Sequence, residues 1–404
     1  MSSKWLSLEE ALSKVLNAAD VVTDIEPISL FEANNRILAE DVVAHLDVPP
    51  WDNSAMDGFA VNADEVETNT PLTIQGTITA GMEADTPLNK ASAIKIMTGA
   101  PLPAGANAVV MIENTDINND KVIINQRPSV GENIRRQAND IAKGDVLIEK
   151  GTRLKAEHLM LLSSQGLNIV NVYRKLRVGI VATGSELAAP GTIRLSTQIF
   201  ESNRVGISSI LQEENTDIID FGIVEDNEVS LRALFLEASE KVDVMVSSGG
   251  VSVGDADYVK DIISELGTID FWKVAIKPGK PFALGKINQT LFCGLPGNPV
   301  SSFVTAKLLV VPAIRKMQGQ IAAFKPLYVN ATLTQDVRNR GGRRDFQRAT
   351  MVQTQNGDWE VTPFKTQSSG VMTSITSANC FLVVDENSAS LPKGATVPVM
   401  PFSL

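Results

Sequence analysis

The sequence is poor in cysteine and histidine, with two of each among its 404 residues. Cys293 and Cys380 lie far apart in apolar, strand-like segments, which argues against a disulfide scaffold or a cysteine-based zinc site and favours two buried thiols. The isolated His45 and His158 supply neither a histidine-rich metal site nor a catalytic triad. Any chemistry must therefore rest on carboxylates, lysines, arginines and hydroxyl groups.

Positive charge and long apolar runs are scarce as well. The formal net charge is −11, which argues against nucleic-acid binding through a broad basic face. No apolar run reaches the roughly 18 residues that a membrane span needs. Acidic residues stand where a signal peptide would have its apolar core, at Glu9 and Glu10. We therefore expect a cytoplasmic protein with neither a nucleic acid nor a membrane as its partner.

The first part of the chain alternates between helical patterns and short strands. Ser7 and Glu10 form a capping box, which predicts a helix directly after Ser7. Residues 51–140 contain short apolar strands between glycine and proline turns and are predicted to be an inserted β domain. Residues 1–50 and 141–175 would together form an N-terminal α/β segment. Further predicted elements are a helix over 30–37, a strand over 39–46 and a helix over 155–166.

The remaining chain is predicted to form two domains. In residues 176–325 strands alternate with helices, which is typical of a doubly wound, mainly parallel sheet. Residues 326–404 return to short strands and are predicted to be a small β-barrel. The fold class is thus α/β and multidomain. Ligands of doubly wound sheets bind at the carboxyl ends of the strands, where the sequence places residues 183–186, 224–226, 247–257, 273–280 and 294–299.

One of these loops combines features of an anion site and a cation site. Ser248, Gly249 and Gly250 follow a buried strand, and their small size lets backbone N–H groups approach a ligand closely. Asp255 and Asp257 then precede a helix. Each could cap that helix, and Asp255 is the better candidate for a cap. Carboxylates at three strand ends suit Mg²⁺; they are Glu186, Asp226 and Asp257.

The loop Lys277-Pro-Gly-Lys280 carries two lysines on a rigid turn, which indicates phosphate or oxyanion binding rather than a plain surface loop. Neither a P-loop nor a dinucleotide-binding glycine motif is present. Further along, Arg343 or Arg348 could clamp a phosphate, with Ser369 as a hydroxyl donor. A solvated basic loop or an RNA-binding patch is the alternative for these arginines.

With these motifs assembled, the chain closely resembles the molybdopterin molybdenumtransferase family, which includes the C-terminal domain of gephyrin. The resemblance covers essentially the whole chain. It departs from the common pattern at Ser185, where many members have Asp, and at Asn139, where Glu is common. The motifs that carry it are Asp52-Asn-Ser-Ala-Met-Asp-Gly58, Ile96-Met-Thr-Gly-Ala-Pro101, Asn133-Ile-Arg-Arg136, Ser247-Ser-Gly-Gly-Val-Ser-Val-Gly-Asp-Ala-Asp-Tyr258, Lys277-Pro-Gly-Lys-Pro281 and Gly294-Leu-Pro-Gly-Asn-Pro299.

The resemblance implies a Mg²⁺-dependent transferase of molybdenum cofactor biosynthesis that has a molybdopterin-binding fold. It would insert molybdate into adenylylated molybdopterin, hydrolyse the adenylyl linkage and release AMP. The family also implies a homodimer whose site is completed across the interface, and we expect transient contacts with the molybdopterin adenylyltransferase and with apo-molybdoenzymes. Together with the residues above, it implies catalytic roles for Asp57, Thr98, Asp140, Glu186, Asp257 and Lys277, and substrate binding by Ser248, Gly249, Gly250, Lys280, Pro296, Arg348 and Ser369.

Two other functions are compatible with parts of the sequence. The central domain alone fits a molybdopterin adenylyltransferase, which would consume ATP and release pyrophosphate. A non-enzymatic scaffold is the third hypothesis, and the intact acids and lysines argue against it. For Asp57, Thr98 and Asp140, a surface turn or a solvated loop is the alternative to a catalytic role.

Overall fold

The computed structural model describes residues 5–249, 258–321, 324–339, 341–388 and 390–403. The chain forms two compact units. The first consists of Met1–Glu40, Lys150–Ala156 and Ile169–Leu404, and the second of Asp41–Glu149 and Glu157–Asn168. The finer boundaries of the four predicted domains stay a prediction. Within the described ranges, no helix is long and apolar enough to cross a membrane.

A seven-stranded sheet forms the centre of the first unit. Neighbouring strands pair in parallel except Pro281–Ile287, which is antiparallel to both of its neighbours. This confirms the predicted mainly parallel sheet. The strand order is Trp5–Leu6, Gly267–Val274, Pro281–Ile287, Thr290–Leu295, Val244–Ser248, Arg177–Thr183 and Asp217–Val224.

Helices cover both faces of this sheet, which explains why its central strands are continuously apolar. Val244 and Val246 face one hydrophobic cluster, whereas Met245 between them faces the other. Ser7 caps the first helix as predicted: its hydroxyl accepts from the Glu10 amide at 3.1 Å, and its own amide donates to the Glu10 carboxylate at 2.8 Å. The helices of this region are Leu8–Ala18, Asn203–Gln212, Glu228–Lys241, Tyr258–Leu266, Pro299–Thr305 and Val311–Met317.

The last two helices are joined by the π-helical turn Ala306–Val310. Pro312 follows this turn and has no N–H group to donate to the carbonyl four residues before it. The wider turn accommodates that missing donor, so helical structure continues from Pro299 to Met317.

The C-terminal region is a closed β-barrel, as predicted. Arg344–Gln353 pairs with Trp359–Pro363 on one side and with Cys380–Val384 on the other, which closes the ring. The strand Ile276–Lys277 from the central region adds in parallel to Arg344–Gln353. The barrel strands are Val329–Leu333, Arg344–Gln353, Trp359–Pro363, Cys380–Val384 and Thr396–Pro401. Short elements beside them are Val337–Arg338, Ser390–Leu391 and the helical turn Thr373–Thr376.

The second unit contains the predicted inserted β domain. A Cβ on Gly58 would lie 1.9 Å from the Val110 carbonyl oxygen, so only glycine fits where these two strands pair. The main sheet has the order Ala108–Met111, Gly58–Val61, Ser92–Ile96, Pro71–Ile78, Lys121–Ile124 and Thr115–Asn118. The other elements are the paired strands Asn53–Ser54 and Ile134–Arg135, the paired strands Val42–Val43 and Val146–Ile148, and the helix Ala156–Ser164.

Two predictions near the N-terminus were wrong. The predicted helix over 30–37 is only the 3-10 turn Leu30–Glu32, because Asn35 adopts a left-handed φ of 63° that ends helical structure. The predicted strand over 39–46 is reduced to Val42–Val43. The regular structure nearby is instead the strand Ile25–Ser29, which pairs with Ile169–Tyr173 through contacts between residues distant in sequence.

Candidate active site

Four adjacent parallel strands place predicted site residues along one edge of the central sheet. Thr183 is the register partner of Val224, and Ser248 is the partner of both Ala182 and Leu295. The loops after these strand ends are therefore neighbours at the carboxyl edge. The predicted site residues that they carry, in strand order, are Asp226, Glu186, Gly249 and Pro296.

The loop that contains Lys277 and Lys280 lies at the same edge. It follows Gly267–Val274, which is separated from Thr290–Leu295 by two successive antiparallel pairings. Two reversals restore the strand direction, so Gly267–Val274 ends at the edge where the four parallel strands end. The structure thus brings together, at one edge of one sheet, acids and lysines that are distant in sequence.

Ser248 and Gly249 are closely packed at this edge of the sheet. Gly249 has a φ of 92°, and a Cβ there would lie 2.5 Å from the Thr183 carbonyl oxygen, so a side chain is excluded. The Thr183 hydroxyl is buried and has no hydrogen-bond partner among the described residues. A buried hydroxyl without a partner beside a closely packed glycine is suited to a polar ligand.

The predicted metal ligands are only partly described, because Asp257 and the substrate-binding Gly250 lie outside the described residues. Glu186 and Asp226 are exposed at adjacent strand ends, and neither forms an ion pair with a described residue. Within the described ranges, no group of three or more histidine, cysteine, aspartate or glutamate side chains could hold a metal. The three-acid metal site therefore stays a prediction.

Lys277 is held by the barrel. Its ammonium group donates to the Asp345 carboxylate at 2.8 Å, and that carboxylate is 1% exposed whereas Lys277 is 34% exposed. Gln347 donates to the same carboxylate oxygen at 3.1 Å. The backbone also holds these two residues together, because Lys277 and Asp345 are register partners where the strand Ile276–Lys277 pairs with the barrel.

Lys280 is exposed and lies beside an aromatic ring that the sequence did not single out. Its ammonium nitrogen is 5.4 Å from the ring centroid of Trp5, and the guanidinium carbon of Arg343 is 6.0 Å from the same ring. Trp5 reaches this position because it pairs in parallel with Lys273. The local sequence around Trp5 carries no signal for this long-range pairing.

Arg348 is completely buried, which differs from the exposed position that a direct phosphate clamp needs. It donates from Nε to the Ser374 hydroxyl at 3.0 Å and from Nη2 to the Ser368 carbonyl at 3.1 Å. Burial lowers the pKa of its guanidinium group, and the charge of Asp345 acts in the opposite direction. Arg348 thus supports the loop that presents the half-buried Ser369.

Pro296 is buried as well, and its carbonyl accepts a hydrogen bond from the Ser302 hydroxyl. This bond fixes the turn between Thr290–Leu295 and the following helix. The next residue, Gly297, is exposed, and its carbonyl accepts from the side chain of Asn203 at 2.8 Å. Asn203 also donates to the Ser248 hydroxyl at 2.7 Å, and sequence reasoning did not identify it.

In the second unit, the predicted catalytic residues Asp57 and Thr98 are in direct contact. The Asp57 carboxylate accepts from the Thr98 backbone amide at 2.7 Å and from the Thr98 hydroxyl at 2.8 Å. These two bonds, the backbone one first, hold the pKa of the exposed Asp57 carboxyl below its ordinary value. Asp140 is exposed, and its backbone amide donates to the Val48 carbonyl at 2.9 Å.

Comparison with protein families gives three consecutive matches. The MoeA N-terminal region (domains I and II) matches residues 6–166, a probable molybdopterin binding domain matches residues 179–316, and the MoeA C-terminal region (domain IV) matches residues 330–402. The central match contains the sheet edge described above, and the last one contains the barrel strand with Asp345 and Arg348.

Individual relatives are similar over most of the chain. The molybdopterin molybdenumtransferase of Haemophilus influenzae is 40% identical over 399 residues, which cover 98% of this chain and 99% of the relative. That of a Nostoc species is 36% identical over 336 residues, covering 81% and 77%. A crystal structure of a molybdopterin biosynthesis MoeA protein from Pyrococcus horikoshii superposes with a TM-score of 0.82 at 33% identity and covers 99% of this chain and 100% of that one.

Proposed function

The chain belongs to the molybdopterin molybdenumtransferase family, and we propose that it inserts molybdenum from molybdate into molybdopterin that carries an adenylyl group. In this reaction the two dithiolene thiol groups bind molybdenum in place of one molybdate oxygen, which takes up their two protons and leaves as one water molecule. A water molecule attacks the adenylyl phosphorus, the P–O–P linkage breaks, and AMP is released. The result is a transferase reaction of molybdenum cofactor biosynthesis.

The observation that supports this proposal most strongly is the pairing of acids and lysines along one sheet edge. Molybdate and a pyrophosphate linkage both bring negative charge, which Lys277 and Lys280 would offset. Because Asp345 holds the Lys277 ammonium group from the barrel side, little side-chain freedom remains to be lost on binding. Ser369, on the loop that Arg348 supports, would add a hydroxyl donor.

Glu186 and Asp226 suit Mg²⁺, since they present oxygen donors on adjacent strands without an ion pair to any described residue. Asp257 would complete this set. When bound, Mg²⁺ would supply Lewis-acid polarisation of the phosphate linkage. Thr183 and Ser248 would meanwhile bind phosphate oxygens through their hydroxyl groups, and the bare backbone of Gly249 would allow the substrate to approach closely.

Asp57, Thr98 and Asp140 are assigned to the same reaction on the supposition that the protein is a homodimer. The Asp57–Thr98 pair of one subunit would then enter the site of its partner, with Asp57 ionised. A second copy could also cover exposed apolar side chains of the first unit, which are Ile193, Leu195, Ile199 and Phe200. Transient contacts with the adenylyltransferase and with apo-molybdoenzymes, and a cytoplasmic location, stay predictions.

Reconstitution of a molybdenum enzyme tests this function. Purified protein is incubated with adenylylated molybdopterin, Mg²⁺ and molybdate, and the product is passed to an apo-molybdoenzyme whose molybdenum content is measured. We expect reconstitution only when molybdate and the adenylylated substrate are both present. Release of pyrophosphate from ATP and free molybdopterin would instead identify an adenylyltransferase, and no product under either condition would identify a scaffold.

A further inference from the structure

Asn203 connects two loops of the site with a single amide group. It is the first residue of the helix Asn203–Gln212, and its side-chain nitrogen donates to the Ser248 hydroxyl at 2.7 Å and to the Gly297 carbonyl at 2.8 Å. Ser248 ends one central strand, and Gly297 lies in the loop after the neighbouring strand. One side chain therefore fixes the spacing between two adjacent strand ends.

The direction of both hydrogen bonds follows from the chemistry of the partners. A carbonyl oxygen can only accept, so the Asn203 atom that faces Gly297 must be the nitrogen. Its two hydrogens are then used by Gly297 and Ser248. The Ser248 oxygen is therefore an acceptor in this contact, and no described residue accepts the hydroxyl proton of Ser248.

The position of Ser248 makes its hydroxyl proton available to a ligand. Ser248 is 3% exposed, and the next residue is Gly249, whose backbone packs against Thr183. The Thr183 hydroxyl is itself buried without a partner among the described residues. Two hydroxyl groups with unused donor capacity thus lie at adjacent strand ends, and the Ser248 hydroxyl, on the face of the sheet that carries Asn203, can donate to a phosphate oxygen.

The same turn also contacts the barrel. Ser202, directly before Asn203, lies with its hydroxyl 3.9 Å from the Met372 sulfur. Met372 is in the loop that follows Ser369, whose neighbour Ser368 is held by Arg348. The start of the helix Asn203–Gln212 therefore meets three site loops, which come from two central strands and from the barrel.

We propose that Asn203 is a positioning residue that makes the Ser248 hydroxyl a hydrogen-bond donor to a phosphate oxygen of the substrate. This inference rests on the proposed function. Asn203 does not contact the reacting atoms itself; it fixes the polarity of Ser248 and the distance between Ser248 and Gly297. Its loss should weaken phosphate binding more than it slows turnover at saturation.

The test uses the full chain with Asn203→Ala, Asn203→Asp and Ser248→Ala. Asn203→Ala and Ser248→Ala should each raise KM for the adenylylated substrate about 10-fold, the loss expected for one donor to a charged group. Asn203→Asp has no N–H and would accept the Ser248 proton, so KM should rise about 100-fold. In each variant kcat should stay within about 3-fold of the value for the unmodified protein. The double variant Asn203→Ala, Ser248→Ala should be no worse than either single variant, because Asn203 acts on the substrate only through the Ser248 hydroxyl.

Asn379→Ala is the matched structural control. Asn379 also makes two side-chain bonds, at 2.8 and 2.9 Å, but both join it to the Met351 backbone in the barrel. It should lower thermal stability and leave KM unchanged. Calorimetric binding of AMP gives a second readout that needs no turnover, and the Asn203 variants should weaken it by the same factors.

Unchanged KM and unchanged AMP affinity in Asn203→Asp would overturn the inference, as would full additivity in the double variant. These results would leave the proposed function intact as long as the unmodified protein releases AMP in a molybdate-dependent way. Failure of the unmodified protein to turn over the substrate or to bind AMP would instead overturn the proposed function itself.

Discussion

The Lys277 ammonium group lies 2.8 Å from the Asp345 carboxylate, which is 1% exposed. One oxygen of this carboxylate is bound by Lys277 and Gln347, whereas the other is buried and has no partner among the described residues. We therefore propose two functions for Lys277. It supplies charge at the sheet edge, and it compensates an acid inside the barrel.

The first prediction concerns this ion pair. Lys277→Ala leaves the buried Asp345 carboxylate without its lysine, which typically costs about 3–5 kcal/mol when the pair is fully buried. Lys277 is partly exposed, so we expect the lower end of that range in the free energy of unfolding. Urea denaturation measures this loss.

The double variant Lys277→Ala, Asp345→Asn separates stability from activity. Asparagine removes the unpaired charge, so most of the stability should return. Turnover should stay low because the cation is still missing. A Lys277→Ala protein as stable as the unmodified one, or a double variant with normal turnover, would contradict the two functions assigned to Lys277.

The second prediction concerns Asp57 and Thr98. Thr98→Val removes the hydroxyl donor and keeps the backbone donor, so the pKa of Asp57 should rise toward its ordinary value of 3.8 and remain below it. Because folding depresses this pKa, the stabilisation is present above the unfolded pKa and is lost as the pH falls through the folded one. NMR titration of the carboxyl carbon measures the shift.

If ionised Asp57 acts in the reaction, the acid limb of the pH–rate profile should move to higher pH in Thr98→Val. Thr115→Val is the control in the same unit, since the Thr115 hydroxyl donates to the Ile112 carbonyl instead. It should leave the pKa of Asp57 where it is. The assignment fails if the titration of Asp57 does not respond to Thr98→Val.

The third prediction distinguishes Arg348 from Ser369. Arg348→Met removes the buried donor to the Ser368 carbonyl, and a buried polar group without its partner costs about 1–3 kcal/mol. Ser369→Ala should change the free energy of unfolding by less than about 0.5 kcal/mol, as surface substitutions usually do. It should nevertheless raise KM. Denaturant unfolding and steady-state kinetics on both variants measure these effects. An Arg348→Met protein that is stable but binds substrate poorly would indicate that Arg348 contacts the substrate directly.

The fourth prediction concerns Mg²⁺. Glu186→Gln or Asp226→Asn should raise the Mg²⁺ concentration that gives half-maximal rate by about 10-fold or more, the loss that carboxylates supporting a metal site commonly show. Glu225→Gln is the control, because Glu225 is adjacent to Asp226 in sequence and accepts from the Asn227 side chain. Equal Mg²⁺ dependence in all three variants would remove Glu186 and Asp226 from the metal site.

The sequence was most informative where the fold depends on local patterns. Apolar strands alternate with helices in residues 176–325, and this pattern was enough to predict a mainly parallel sheet and the edge at which its loops meet. The resemblance to the family marked Asp57 and Thr98 as candidates, and the structure shows that they are hydrogen-bonded to each other.

The sequence could not show contacts that depend on pairing between segments distant in the chain. Trp5 reaches Lys280 only because it pairs with Lys273, and Asp345 reaches Lys277 only through the strand Ile276–Lys277. Neither pairing follows from a local period. Arg348 was expected to clamp a phosphate, but it is fully buried in the barrel, which is rare for an arginine and which sequence alone does not reveal.

The most direct test of the proposed reaction is the molybdate dependence of AMP release. Adenylylated molybdopterin and Mg²⁺ are supplied to the purified protein, and AMP is followed before and after molybdate is added. We predict slow release without molybdate and a marked acceleration on its addition, which the double variant Lys277→Ala, Asp345→Asn should lack despite being folded. AMP release at the same rate with and without molybdate would contradict the assignment of this chain as a molybdenum-inserting transferase.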